Sequence, residues 1–214
     1  MRLKMKRILF VIILICSVLF VQGKTKKFGT WVELEFSKEF LKDFEFSVVP
    51  EVRFQDDYSV DEYMFDGVLS YEPLKFLKFS AAYRINTNVK KKGDETAHRL
   101  AFDIQVKKEI GRLEASLRTR FTNYTDQSDD DPGNYFRPRL KLEYDIKGNK
   151  IRPFTSFELF RNITSKEFQK ERFDIGFTRK FGKIHRVGLY YRLQDYFSDR
   201  NSIHILGIEY RLKI

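Results

Sequence analysis

The 214-residue sequence predicts an all-β fold: an up-and-down antiparallel transmembrane β-barrel of about ten to twelve strands, with short periplasmic turns and longer extracellular loops. Three observations carry that expectation. Apolar and polar residues alternate with a period of two along nearly the whole chain. The links between the alternating runs are themselves alternately short and long. The final run, "HILGIEYRLKI", is an amphipathic strand with no polar tail after it.

The N-terminus follows a different pattern. "MRLKMKR" supplies Arg2, Lys4, Lys6 and Arg7, and "ILFVIILICSVLFV" follows without a charge before "VQG". That is the order of a secretory signal peptide, and the apolar run is shorter than the ~20 residues of a spanning helix. Residues 1–23 are therefore expected to be a cleaved signal, and residues 24–214 an outer-membrane barrel in the bacterial envelope. Cys16 lies inside the apolar run, so the exported part holds no cysteine and relies on burial and backbone pairing. Removing the four basic residues takes the formal charge from +10 to +6. That excess makes no case for nucleic acid and suits anionic lipid head groups or plain solubility.

Strands are expected near 29–39, 63–73, 113–123 and 151–161, and between them wherever the alternation is sharpest. "FEFSVVPEVRF" sets Phe44, Phe46, Val48, Val52 and Phe54 against Glu45, Ser47, Glu51 and Arg53. "LKFSAAYRIN" and "RLAFDIQVKKE" repeat the pattern, as do "FRPRLKLEYDI", "RFDIGFTRKF" and "HRVGLYYRLQ". Short links fall at Leu41–Asp43, Leu74–Phe76, Gly111–Arg112, Lys147–Lys150 and Gly182–Lys183. Longer ones are "QDDYSVDE", "TNVKKKGDETA", "NYTDQSDDDPGN", "ITSKEF" and "SDRN". Strict alternation puts all the short links at one end of the sheet, the anatomy of an outer-membrane barrel. A soluble sandwich has no reason to alternate its loops. Most runs reach about ten residues, enough for a tilted strand to cross the hydrocarbon. Trp31, Tyr63, Tyr71, Tyr135, Tyr144, Phe181 and Phe197 stand near strand ends, as interfacial girdles would place them. The runs number eleven, whereas single-chain bacterial barrels have even counts. Ten or twelve strands is therefore the expectation.

In the terminal strand Leu206, Ile208, Tyr210, Leu212 and Ile214 share the face expected to meet lipid. The opposite phase of the sheet is dense in charge. Glu33, Glu35, Asp103, Glu143, Glu158 and Glu209 share it with Arg53, Arg84, Arg99, Arg118, Arg120, Arg137, Arg139 and Arg192, together with Glu51, Glu114, Asp174, Arg172 and Arg211. These residues are expected to form a charge network that largely fills the lumen, with a solute-selecting pore as the alternative.

"GTWVELEFSKEFLKDFEFSVVPEVRF", "LKFSAAYRIN", "HRLAFDIQVKKEIGRLEASLRTRF", "YFRPRLKLEYDI", "PFTSFELF" and "HILGIEYRLK" together resemble domain of unknown function family 2490. The family consists of uncharacterised outer-membrane barrels from Bacteroidota. The resemblance implies an outer-membrane barrel and brings no activity, substrate or catalytic residue. "GIEYRLKI" also looks like the C-terminal signal by which such barrels reach their assembly machinery, though its last residue is Ile rather than an aromatic.

The expected role is non-enzymatic: structural, a narrow pore or lipid-associated. The expected partners are outer-membrane lipids and the barrel assembly machinery, with no nucleic acid and no assigned solute. A lipid-modifying hydrolase or acyltransferase is the first rival, and a soluble secreted barrel for an apolar ligand is the second. The three histidines, His98, His185 and His204, all fall on the apolar phase. "HRL" and "HIL" lack a His-x-Ser spacing and no G-x-S-x-G occurs, so no catalytic residue is assigned. The acidic stretch Asp126–Asp131 lacks the ligand order of a calcium loop, and "VKKKGDE" reads as a solvated loop able to touch phosphates. No metal and no cofactor is assigned.

Overall fold

The computed structural model describes residues 25–124, 133–198 and 201–214. Residues 1–23, expected to be a signal peptide, and the acidic stretch Asp126–Asp131 lie outside these residues. The strands are β1 (Thr25–Leu41), β2 (Phe44–Phe54), β3 (Val60–Leu74), β4 (Leu77–Asn88), β5 (Glu95–Ile110) and β6 (Leu113–Tyr124). They continue with β7 (Tyr135–Tyr144), β8 (Ile151–Asn162), β9 (Phe168–Phe181), β10 (His185–Tyr196) and β11 (Asn201–Lys213). Each pairs antiparallel with its neighbour in sequence, and β1 pairs with β11 to close a barrel.

Eleven strands make the closure, within the expected ten to twelve but an odd count. Direction reverses at every hairpin, so an odd count leaves the first and last strands pointing the same way. The β1–β11 seam is accordingly parallel, in register from Thr25↔Asn201 to Ser37↔Lys213. Both seam strands run from the longer-loop end to the short-turn end, where the Ile214 amide donates to the Ser37 carbonyl at 2.8 Å.

Four of the five short turns contain a residue that accepts left-handed backbone: Asp43, Gly111, Gly148 and Gly182. Gly111, at φ 64°, turns the two-residue β5–β6 link between the paired Ile110 and Leu113. Asp43, at φ 67°, does the same between β1 and β2. In the longer β2–β3 link the Ser59 hydroxyl and amide both donate to Asp57, holding its carboxyl below the usual carboxylate range. Ladders are interrupted near prolines: β1–β2 passes from Glu33↔Glu51 to Phe36↔Val48 beside Pro50, and β3–β4 from Tyr71↔Phe79 to Leu74↔Leu77 beside Pro73. Between β7 and β8 the pairing passes from Phe136↔Arg161 to Arg139↔Glu158, skipping Pro138, which has no N–H to donate.

The pleat sorts side chains as the alternation predicts, but inside out relative to a soluble domain. Glu51, Asp66, Arg137, Glu158 and Asp174 are buried, whereas Phe65, Leu100, Phe102, Ile104, Leu140 and Leu206 are exposed on the outer wall. A continuous apolar outer surface of this extent is rare on a soluble monomer.

Candidate functional site: the charged lumen

Inside the barrel lies a cavity of about 1030 Å³ with lining residues from all eleven strands. It reaches Gln55, Val89, Lys90 and Ser198 at the longer-loop end, and Glu45, Ser70, Lys141 and Arg211 at the other. At about 30 Å³ per water molecule, that space would take a chain of solvent rather than isolated waters.

Of the residues expected in the charge network, Glu33, Glu35, Arg53, Arg84, Arg99, Asp103, Arg118, Arg120, Arg137, Arg139, Glu158, Arg192 and Glu209 line this cavity. Glu143 does not. It is buried near the short-turn end, 3.4 Å from both Lys141 and Arg152. The charges interlock in local groups rather than as one plug. Glu51 receives Arg53 at 2.8 Å, and Arg53 also reaches Glu62 at 2.6 Å. Arg84 forks onto Asp66 and stands 3.5 Å from Glu51. Arg120 forks onto Asp103, with both contacts at 2.6 Å. Arg192 forks onto Asp174 at 2.6 and 3.0 Å, where Ser156 adds a third hydrogen bond. Such planar forks are the strong form of ion pair and fix both partners. At the seam, Arg211 binds Glu35 at 2.6 Å.

These pairings leave the two sides of the lumen unequal. On the seam side, Glu33 is directly opposite both Glu209 and Glu51 in the register. Glu51 is paired, but Glu33 and Glu209 make no ion pair among the described residues. On β6 and β7, Arg118 faces Arg139 and Arg120 faces Arg137. Glu158 serves two of these four, at 2.6 Å from Arg118 and 3.1 Å from Arg137, and also stands 4.0 Å from Arg172 of β9; Asp103 serves Arg120.

The two groups confront each other across the lumen. β6 and β7 are each five strands from β1, in opposite directions around the barrel. From Glu33 the rungs pass through Glu51, Met64 and Asn86 to Ala97, near the longer-loop end of β5. In the other direction they pass through Glu209, Gly188 and Thr178 to Arg152, near the short-turn end of β8. Strand tilt thus carries a rung up one side and down the other, and the level of Glu33 on the far side falls midway along β6 and β7. The four facing arginines stand there.

Trp31 and Tyr135 correct the girdle expectation, since both line the lumen. The signal was available: Trp31 shares the parity of Glu33 and Glu35, and Tyr135 that of Arg137 and Arg139. Proximity to a strand end is weaker evidence than phase. The Arg53 guanidinium lies 3.7 Å from the Trp31 ring centre, with Arg192 at 4.9 Å and Arg172 at 5.3 Å. Such stacking on desolvated guanidinium groups contributes up to about 2 kcal/mol each. Phe160 similarly carries Arg137 at 4.1 Å and Arg172 at 4.6 Å. Tyr190, also unanticipated, lies across Gly207, where an added Cβ would come within 1.9 Å of the ring.

Leu206, Ile208, Tyr210, Leu212 and Ile214 project on the outward phase of the seam, with Leu206, Ile208 and Ile214 exposed. The histidines are outward too, and each shares a hydrogen bond with a tyrosine of the neighbouring strand. His98 meets Tyr83 and His185 meets Tyr210, both at 2.7 Å, and His204 meets Tyr191. "VKKKGDE" contributes a Lys90–Glu95 pair at 2.8 Å. Among the described residues, no group of three or more His, Cys, Asp or Glu side chains is placed to hold a metal ion.

None of the curated proteins compared with this chain matches it. The family model described as "Protein of unknown function (DUF2490)" matches residues 28–203, from the first turns of β1 into β11, so the chain belongs to that family.

Proposed function

We propose that this chain is a non-enzymatic outer-membrane barrel whose lumen is a narrow, charge-lined aqueous passage. The observation that carries the reading is the cavity of about 1030 Å³, lined from one end of the strands to the other, within a wall whose outer face is apolar. An apolar outer band around a polar interior is the arrangement that lipid on one side and water on the other would stabilise. The lumen lining offers an apolar ligand little matching surface, which weighs against a soluble carrier. The histidines are engaged with tyrosines rather than with a serine nucleophile, which weighs against lipid hydrolysis.

Gel mobility of the detergent-extracted membrane fraction, with and without boiling, tests the membrane barrel. A faster unboiled band is expected, followed by discrete single-channel conductance from the purified protein in planar bilayers. A periplasmic protein of one mobility would end the reading. Leu206→Arg, on the outward face in mid-strand, is expected to cost about 2–4 kcal/mol of membrane stability and to reduce the assembled fraction. Unimpaired assembly of that variant would show that Leu206 does not face hydrocarbon.

A further inference from the structure

We propose that the arginine wall of β6 and β7 is an anion subsite that takes a compact, multiply charged oxyanion of the phosphate type from the lumen. The inference rests on the preceding reading only in requiring that solute can enter.

Two like-charged rungs are stacked on this wall, Arg118↔Arg139 and Arg120↔Arg137. Directly opposed like charges destabilise a sheet unless something lies between or beside them. The protein's own carboxylates do not suffice. Asp103 is taken by the Arg120 fork, and Glu158 is divided among Arg118, Arg137 and Arg172. Arg139 has no ion-pair partner among the described residues. The Nε atoms of Arg118, Arg137 and Arg139 are buried and donate no hydrogen bond. Buried donors of a charged group are costly to leave unmet. With Arg139 unpaired and Glu158 shared, the wall carries more guanidinium charge than its carboxylates meet, and that surplus points to an anion from solution.

The shape of the wall narrows the ligand class. Guanidinium forks match the paired oxygens of phosphate or carboxylate, and a divalent anion can accept from several at once. Phe160, against Arg137 and Arg172, holds those planes in place before any ligand arrives. The acidic rung across the lumen, Glu33, Glu51 and Glu209, offers an anion no comparable site.

Trp31 is the only tryptophan in the sequence. Its ring is 5.3 Å from Arg172, which also lies 4.0 Å from Glu158 on the arginine wall. Its fluorescence therefore reports on the lumen without requiring conduction. The refolded full chain in detergent should be titrated with inorganic phosphate against chloride at constant ionic strength. A saturable Trp31 response to phosphate is expected, weakened roughly tenfold or more in Arg139→Gln, equivalent to about 1.4 kcal/mol. Arg139→Gln leaves no carboxylate without its partner, so its unboiled gel band should be retained. Phosphate should also reduce chloride current through the wild-type channel.

No saturable response in the wild type would overturn the subsite, as would equal affinity in a folded Arg139→Gln. If that variant does not fold, the wild-type titration still decides. A phosphate response without any conductance would leave the subsite standing and remove the pore. Conductance with no phosphate response would do the reverse.

Discussion

The seam wall and the arginine wall are built from the same alternating strands, yet they handle charge in opposite ways. At the seam, Glu33, Glu51 and Glu209 occupy one continuous rung across β2, β1 and β11. Two of them remain unpaired among the described residues. On β6 and β7 the surplus is positive and leans on one acid, Glu158 of β8; both groups are deeply placed, with the Glu51 side chain 6 % and the Arg137 side chain 7 % exposed. The difference teaches that a nearly balanced sequence can form an unbalanced lumen. In the proposed passage a solute would meet a field that opposes acid to base at one level.

Glu158→Gln should break the comparison most severely. It leaves Arg118, Arg137 and Arg172 without their common carboxylate, and stranding buried charge costs about 3–5 kcal/mol. The check is the temperature at which the compact unboiled gel band is lost, which should fall sharply. If it is unchanged, the arginines are already neutralised by something other than Glu158.

Gly207→Ala acts at the seam side by a steric route. The new Cβ would lie 1.9 Å from the Tyr190 ring, so the ring must swing into the lumen. Overpacking of this kind costs about 1–3 kcal/mol. Reduced single-channel conductance with assembly retained is expected, and an unaltered conductance would mean Tyr190 does not border the passage.

Glu33→Gln should have the smallest effect and the opposite sign to Glu158→Gln. It removes one of two unpaired, directly opposed carboxylates, relieving up to roughly 1 kcal/mol of repulsion. The gel-band transition should stay level or rise. A destabilised Glu33→Gln would mean that the seam carboxylates hold a cation, and the contrast between the walls would need another basis.

Much of this was legible in the residues. The alternation around Arg53, Arg118 and Glu158 identified the lumen side, and the run of links identified the two ends of the barrel. Trp31 and Tyr135 were legible too, by the parity they share with Glu33 and Arg137, although their positions near strand ends suggested the outer girdles. Eleven alternating runs are visible in the sequence, against the even counts usual for such barrels. The structure keeps all eleven through a parallel seam that reverses no rule of local strand chemistry. Which arginine meets which acid was not legible. The partnership of Arg118 with Glu158 spans two strand boundaries, and no local pattern announces it.

By itself the sequence determined the face of each side chain, because the pleat alternates residue by residue and needs no tertiary information. It also determined where the chain turns, through residues such as Gly111 and Asp43 that accept left-handed backbone. Only the tertiary structure decided that β1 would lie parallel to β11, and that Glu33 would stand level with Arg118 and Arg139 across the lumen. Those relations depend on strand number and tilt accumulated around the whole circuit. They are properties of closure, and no single strand contains them.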